Sequence, residues 1–223
     1  MKIDVLTLFP TMFDGFLNES IIKRAREFQK VKINVYNIRD YSVDPHKKVD
    51  DYSYGGGAGM VLMPQPIFDA VDDLKSDDAI VILLTPQGKT YDQSCALELS
   101  KLKHIIIICG HYEGFDERIR TLADIELSIG DFVLTGGEVA AMAIIDSTVR
   151  LIDGVITKES YECDSFQNGL LDYPVYTHPY SYRGLKVPDI LLSGHHENIR
   201  KWRLEHQIKR TKERRPDLLE KSD

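Results

Sequence analysis

Along the first two-thirds of the chain, short apolar runs alternate with stretches in which apolar residues recur every three or four positions. Residues 3–9, 31–38, 79–85, 105–110 and 125–134 read as five strands. The third and fourth are nearly continuous apolar runs, as expected of strands buried on both faces of a parallel sheet. Between the first two strands, Phe13, Leu17, Ile21, Ala25 and Phe28 fall at intervals of four or three residues, a helical stripe. Further helices are expected over 66–74, 91–102 and 136–150, the last with Thr135 and Glu138 spaced as a capping box. Alternating strands and helices predict an α/β fold, a parallel sheet with helices on both faces.

The pattern changes after residue 150. Gly, Pro, Asp, Ser and Tyr dominate up to about residue 193, and helical spacing returns over 196–212, before Pro216. The expected organisation is an α/β domain over 1–150, a linker over 151–170 and a small, mostly helical domain over 171–223. Apolar residues make up 43% of the 223 and charged residues 28%, which is ordinary globular composition. The opening apolar run is cut by Asp4 and ended by Pro10, too short for a signal region or a membrane span. Cys95, Cys109 and Cys163 are odd in number and far apart, which argues against a disulfide framework or a Cys-based zinc site. A reducing compartment, the cytoplasm, and no membrane partner are the expectation.

The net charge of −7 does not suggest a nucleic-acid binder. Its distribution is uneven, which is a better guide to partners than the total. Residues 200–215 hold eight Lys or Arg against two Glu, so that stretch carries +6 and the remainder −13. Such a run is either a solvated helix face or a phosphate-binding surface.

Three glycine-bearing segments follow successive strands: Pro86-Gln87-Gly88, then Gly110-His111-Tyr112-Glu113-Gly114, then the stretch from Ser128 through Gly136-Gly137-Glu138. In an open α/β sheet, ligands sit beyond the carboxyl ends of the strands, where glycine lets the backbone approach closely. The run Gly55-Gly56-Gly57-Ala58-Gly59-Met60 lacks the Lys-Ser/Thr of a phosphate-binding loop and reads as a mobile loop flanking a site or as a plain flexible loop.

The phrases LFPxMF (8–13), VDDYxYGGGxGM (49–60), CGHYEGFDERI (109–119), SIGDFVLTGGE (128–138), DSFxxGLLDxPxYT (164–177), VPDILLSGHH (187–196) and RRPDLLE (214–220) occur in order along the chain. Together they closely resemble the bacterial tRNA (guanine-N1)-methyltransferases, the TrmD family of the SPOUT superfamily. The resemblance implies an α/β domain closed by a C-terminal trefoil knot, which the rarity of knots would not suggest. It implies a small helical tRNA-binding domain and a homodimer whose active sites are shared between subunits. The implied reaction is methylation of N1 of guanine 37 in tRNA by S-adenosylmethionine, with Mg2+ needed for activity and no protein metal ligands assigned. The alternative is a non-catalytic RNA-binding relative of the same fold.

Residue roles follow by the same resemblance. Cofactor contacts fall on Pro86, Gly88, Gly110, Tyr112, Gly114, Ile129, Gly130, Asp131, Phe132, Val133, Leu134, Gly136 and Gly137. Contacts to tRNA fall on His46, Asp50, Ser165, Arg203, Lys209 and Arg210. The catalytic assignments are Asp164, Arg150 and Glu113. The chemistry needs such groups: guanine N1 becomes nucleophilic only as its proton leaves, which drives charge onto O6, so a base and a nearby cation or donor are required. By residue type alone, Asp164 reads as a helix N-cap, Arg150 as a cation at a helix C-terminus, and Glu113 as an acceptor for nearby N–H groups. His46 and Asp50 would share a metal-binding helix face only if that segment were helical, and Pro45 argues for a loop. His195 and His196 read as a helix start. The chain has Phe132 where many relatives have Tyr, Val139-Ala140 where they have Leu-Pro, and His178 where Arg is usual.

Overall fold

A computed structural model describes residues 1–220; residues 221–223, part of the expected C-terminal domain, lie outside the described residues. The first unit runs through β1 (Lys2–Thr7), a 3-10 turn (Pro10–Phe13), α1 (Asp14–Leu17), α2 (Ser20–Glu27), β2 (Lys32–Asn37), a second 3-10 turn (Ile38–Tyr41), β3 (Asp50–Asp51) and β4 (Val61–Leu62). It continues with α3 (Pro64–Leu74), β5 (Ala79–Thr90), α4 (Gln93–Leu99), β6 (His104–Cys109), a third 3-10 turn (Glu117–Leu122), β7 (Ile125–Ser128) and α5 (Glu138–Val149). The second contains α6 (Lys158–Glu162), a hairpin of β8 (Ser181–Tyr182) and β9 (Leu185–Lys186), a 3-10 turn (Asp189–Leu192), α7 (His196–Arg214) and α8 (Asp217–Glu220). The two compact units divide between Ile156 and Thr157.

Five strands form one sheet in the order β2-β1-β6-β5-β7, all parallel. All six residues of β6 are buried, which is why that run carries no polar alternation. Alternate residues feed two apolar layers. Ile3, Val5, Ile82, Ile105 and Ile107 pack with Ile22, Leu99, Ile144 and Ile145 from α2, α4 and α5. Leu6, Val81, Leu83, Ile106 and Ile108 pack with Ile67, Ala70 and Val71 of α3 and with Ile119. Helices therefore cover both faces, as the alternating pattern predicts.

Four local expectations need correction. The helical stripe over 13–28 is broken into α1 and α2, with Ser20 at φ +50°. There the Asn18 amide donates to the Asp14 carbonyl and Arg26 Nη1 donates to the Leu17 carbonyl, at 2.8 and 2.7 Å, so side chains replace the missing helical bonds. The fifth strand ends at Ser128, not 134. Ser128 Oγ bonds to both the carbonyl and the N–H of Gly130, whose φ of +148° turns the chain away. The capping box does not form. Gly137 is the N-cap of α5, and the buried Glu138 carboxylate accepts instead from Thr7 Oγ1 at 2.7 Å, across to β1. Finally, Pro86-Gln87-Gly88 is not a terminal loop but an excursion within β5. Leu84 and Lys89 both pair with Leu127 of β7, so residues 85–88 bulge out between two pairings of a single residue.

The charged residue that interrupts the first apolar run is fully buried. The Asp4 carboxylate accepts from Lys2 Nζ at 2.6 Å and Asn34 Nδ2 at 2.6 Å, and lies 2.8 Å from His104 Nε2. His104 Nδ1 in turn is 2.8 Å from Ser76 Oγ. Asn34 is the register partner of Asp4 on β2, and His104 is that of Lys2 on β6. One carboxylate thus links three adjacent strands. Removing one member of a buried ion pair typically costs about 3–5 kcal/mol. Asp4→Ala is expected to lose stability in that range by urea denaturation. A loss of about 0.5 kcal/mol, ordinary for a surface change, would show that the network does not hold the strands in register.

Candidate active site

Beyond the carboxyl ends of β5, β6 and β7 lies a cavity of about 410 Å3. Its walls are the three glycine-bearing segments, which come close enough to exclude side chains. The Gly137 N–H donates to the Gly110 carbonyl at 2.8 Å, and a Cβ on Gly137 would sit 2.8 Å from Cys109 Cα. Gly136 pairs with His111 in a single β-bridge, and a Cβ there would sit 2.6 Å from His111 Cδ2. A Cβ on Gly88 would lie 2.5 Å from the Leu127 N. At Gly88 and Gly137 contacts this short leave no room for any other residue without moving backbone, whereas at Gly136 the His111 and Glu138 side chains would have to move. Below the floor, burial and the nearby Glu138 carboxylate push the Cys109 thiol well above its ordinary pKa, so it stays protonated and inert.

Tyr112 adopts a left-handed conformation at φ +60°, a strain of about 1–3 kcal/mol for a residue other than glycine. Two bonds hold it there. Its N–H donates to His111 Nδ1 at 2.9 Å, and its hydroxyl accepts from Arg39 Nη2 at 3.2 Å. Next to it, Glu113 lies against the glycine-rich loop. The Glu113 N–H donates to the Met60 carbonyl at 3.1 Å, and a Cβ on Gly59 would sit 2.3 Å from Glu113 Cγ. The loop continues into β4, where the Leu62 N–H donates to the Gly114 carbonyl at 3.0 Å. The run 55–59 therefore flanks the cavity through Glu113.

Of the thirteen residues expected to meet a cofactor, Gly88 and Asp131 do not line the cavity. Gly88 faces the backbone of β7, and Asp131 is exposed. The other eleven do line it, as does Glu113. His46 lies in an exposed turn whose N–H donates to Asp44 Oδ1, and Asp50 lies in β3, so the two do not share a helix face. Asp50 is paired with Leu62, the residue whose N–H reaches the Gly114 carbonyl. Arg150 is the C-cap of α5 and half-buried. Gln87 and Glu117 line the cavity within quoted segments but carry no assigned role, and Arg120 lines it outside every motif.

In the second unit, Asp164 follows α6 rather than preceding a helix, and its N–H donates to the Tyr161 carbonyl at 3.1 Å. The N-cap reading is therefore wrong: the next turn is closed by the Gln167 N–H to the Asp164 carbonyl, and no helix starts there. Ser165 Oγ accepts from the Asp172 N–H at 2.9 Å. Arg210 donates to the Asp172 carbonyl at 2.9 Å, and the Arg203 guanidinium sits 4.7 Å from the Tyr173 ring centre. Lys209 is exposed. His195 caps α7 and His196 opens it, as expected of a helix start.

A family model described as tRNA (Guanine-1)-methyltransferase TrmD matches residues 1–221. The chain belongs to this family. It is 60% identical to the tRNA (guanine-N(1)-)-methyltransferase of Halalkalibacterium halodurans, over 99% of this chain and 92% of that protein. It is 58% identical to the protein of the same name from Staphylococcus aureus (strain MRSA252), over 99% and 91% of the two chains. No helix among the described residues is long and apolar enough to cross a membrane.

In this family member Gly137 is the cavity glycine set most tightly against backbone. Gly137→Ala must displace the backbone of Cys109 or Gly110, and overpacking of this kind typically costs about 1–3 kcal/mol. That loss is expected in urea denaturation. An alanine variant as stable as the parent would mean that the loop and β6 part easily.

Proposed function

We propose that this enzyme transfers the methyl group of S-adenosylmethionine to N1 of guanine 37 in tRNA. The observation that carries the reading is the cavity: glycine-tight backbone loops around about 410 Å3, within the range of small-molecule sites, in a chain matched by the family model over residues 1–221. The cofactor would be held by Pro86, Gly110, Tyr112, Ile129, Gly130, Leu134 and Gly136, largely through backbone groups. It supplies an electrophilic methyl group when bound. The Phe132 ring, close to Gly130 in this fold, would keep its stacking contact without a hydroxyl.

The protein groups divide the remaining work. Asp164 takes the N1 proton as the N1–methyl bond forms and the sulfur–methyl bond breaks. Arg150 donates to O6, where negative charge collects as the proton leaves. Glu113, at the cavity edge, meets the guanine's donor edge. Asp164 lies in the second unit, and on this reading it completes a site built by a partner subunit's loops, which makes the enzyme a homodimer. A trefoil knot formed by the loops around the cavity and a tRNA-binding helical domain in the second unit belong to the same reading. Mg2+ belongs to the resemblance too, but among the described residues no group of three or more His, Cys, Asp or Glu is placed to hold a metal ion. The steps above use none.

Primer extension on tRNA incubated with the protein and S-adenosylmethionine tests the reaction. A methyl on N1 blocks pairing, so reverse transcriptase should stop beside guanine 37. Extension through that base, or a stop elsewhere, would overturn the reading.

Asp164→Asn is expected to keep fold and cofactor affinity while the single-turnover rate falls by about 10²–10⁴, the usual worth of general-base help. Part of the deficit should return at high pH, where hydroxide takes the proton. A near-normal rate at neutral pH would remove Asp164 from the base role.

Binding of tRNA is expected to rest on α7. Arg210 also ties α7 to residue 172, so the cleaner test uses Arg203→Ala, Lys209→Ala and Lys212→Ala together. Affinity should fall, and the slope of log K against log salt should flatten by roughly 0.7–0.9 for each phosphate no longer neutralised. An unaltered slope would leave α7 a solvated face.

A further inference from the structure

Arg120 sits where the three cavity walls meet, and no motif or assigned role accounts for it. It lies in the 3-10 turn between β6 and β7, and its side chain is 20% exposed. Nη1 donates to Glu126 Oε2 on β7, and Nη2 donates to Gln87 Oε1 on the excursion from β5. Nε lies 3.0 Å from Glu117 Oε1. The guanidinium is also 5.3 Å from the centre of the Phe115 ring. Phe115 in turn packs under Gly110, its Cδ1 3.4 Å from where a Cβ would be.

One side chain thus touches the excursion within β5, the segment after β6, and β7, the strand that leads into the third loop. We infer that Arg120 is a positioning residue for the cofactor: its planar fork locks the three walls of the cavity into one arrangement. The inference rests on the proposed use of the cavity for S-adenosylmethionine. Only Arg has the geometry. A guanidinium presents several donors in one plane and an apolar face to an aromatic ring, whereas a lysine ammonium offers a single charged point with no flat face. Arg120 also sets two carboxylates, Glu117 and Glu126, against a positive charge beside the cavity.

The test is calorimetric binding of S-adenosylmethionine to the full chain, with melting temperature and cofactor KM measured alongside. Arg120→Lys keeps the charge and loses the fork; Gln87→Leu cuts a single arm and leaves both carboxylate contacts. Wild type is expected to bind. Arg120→Lys should raise the cofactor Kd by about tenfold or more, with cofactor KM rising further than kcat falls, and Gln87→Leu should have a smaller effect of the same kind. The double variant should be little worse than Arg120→Lys, because both changes cut the same tie and coupled contacts are not additive. Should Arg120→Lys fail to fold, Gln87→Leu alone carries the test. A wild type that binds S-adenosylmethionine together with variants that bind equally well would overturn the positioning role, as would strictly additive effects or a lower melting temperature with unchanged Kd. A wild type that does not bind S-adenosylmethionine would overturn the reading of the cavity itself.

Discussion

The site depends on one steric constraint: at Gly137 there is no space for a side chain against the end of β6. The first N–H groups of a helix have no partner within it, and here the N-cap N–H reaches the Gly110 carbonyl at 2.8 Å. That contact docks the start of α5 on the loop after β6, and His111 and Gly136 extend it by one bridge. Glu138, the first residue of α5, then anchors the helix to β1 through Thr7. A carboxylate in the first turn also suits the helix dipole. The cavity is the space left above these contacts, and its shape follows from backbone held to backbone, with few rotatable side chains involved.

The two ends of the sheet are built by opposite means. At the amino ends, a buried carboxylate gathers Lys2, Asn34 and His104 and fixes β1 between its neighbours. At the carboxyl ends, glycines and a left-handed tyrosine hold open a pocket at some cost in backbone strain. Charge and hydrogen bonding secure the strands far from the chemistry, so the loops can be shaped for a ligand rather than for stability.

Much of this is legible in the sequence, and the exceptions share a cause. The continuous apolar runs mark β5 and β6 because burial on both faces leaves only one kind of residue acceptable. The glycine segments mark the walls because two follow strands and the third bulges out from within β5. Asp4 reads as an interruption in an apolar run, since its partners Asn34 and His104 are 30 and 100 residues away. The break after α1 depends on Asn18 and Arg26 bonding to backbone, which periodicity does not register. The same holds for the end of β7, set by the Ser128 hydroxyl. Arg120 is invisible for the reason Asp4 is: Gln87 is 33 residues away. What sequence pattern conveys is burial and local turn chemistry; what it withholds is polar contact across the fold.

The excursion at residues 85–88 starts and ends on pairings with the same residue, Leu127. A segment hinged at one end, or joined to well-separated points, must be immobilised when a ligand arrives, and that loss of freedom weakens binding. A segment returning to its own starting point is a closed ring of fixed circumference, with its disorder already removed during folding. It can neither lengthen its reach nor slide along β7 without unzipping ladder bonds on both sides. Inserting or deleting a residue there would therefore change the size of the ring rather than its slack, and this wall has the character of a rigid template, complete before anything enters the cavity.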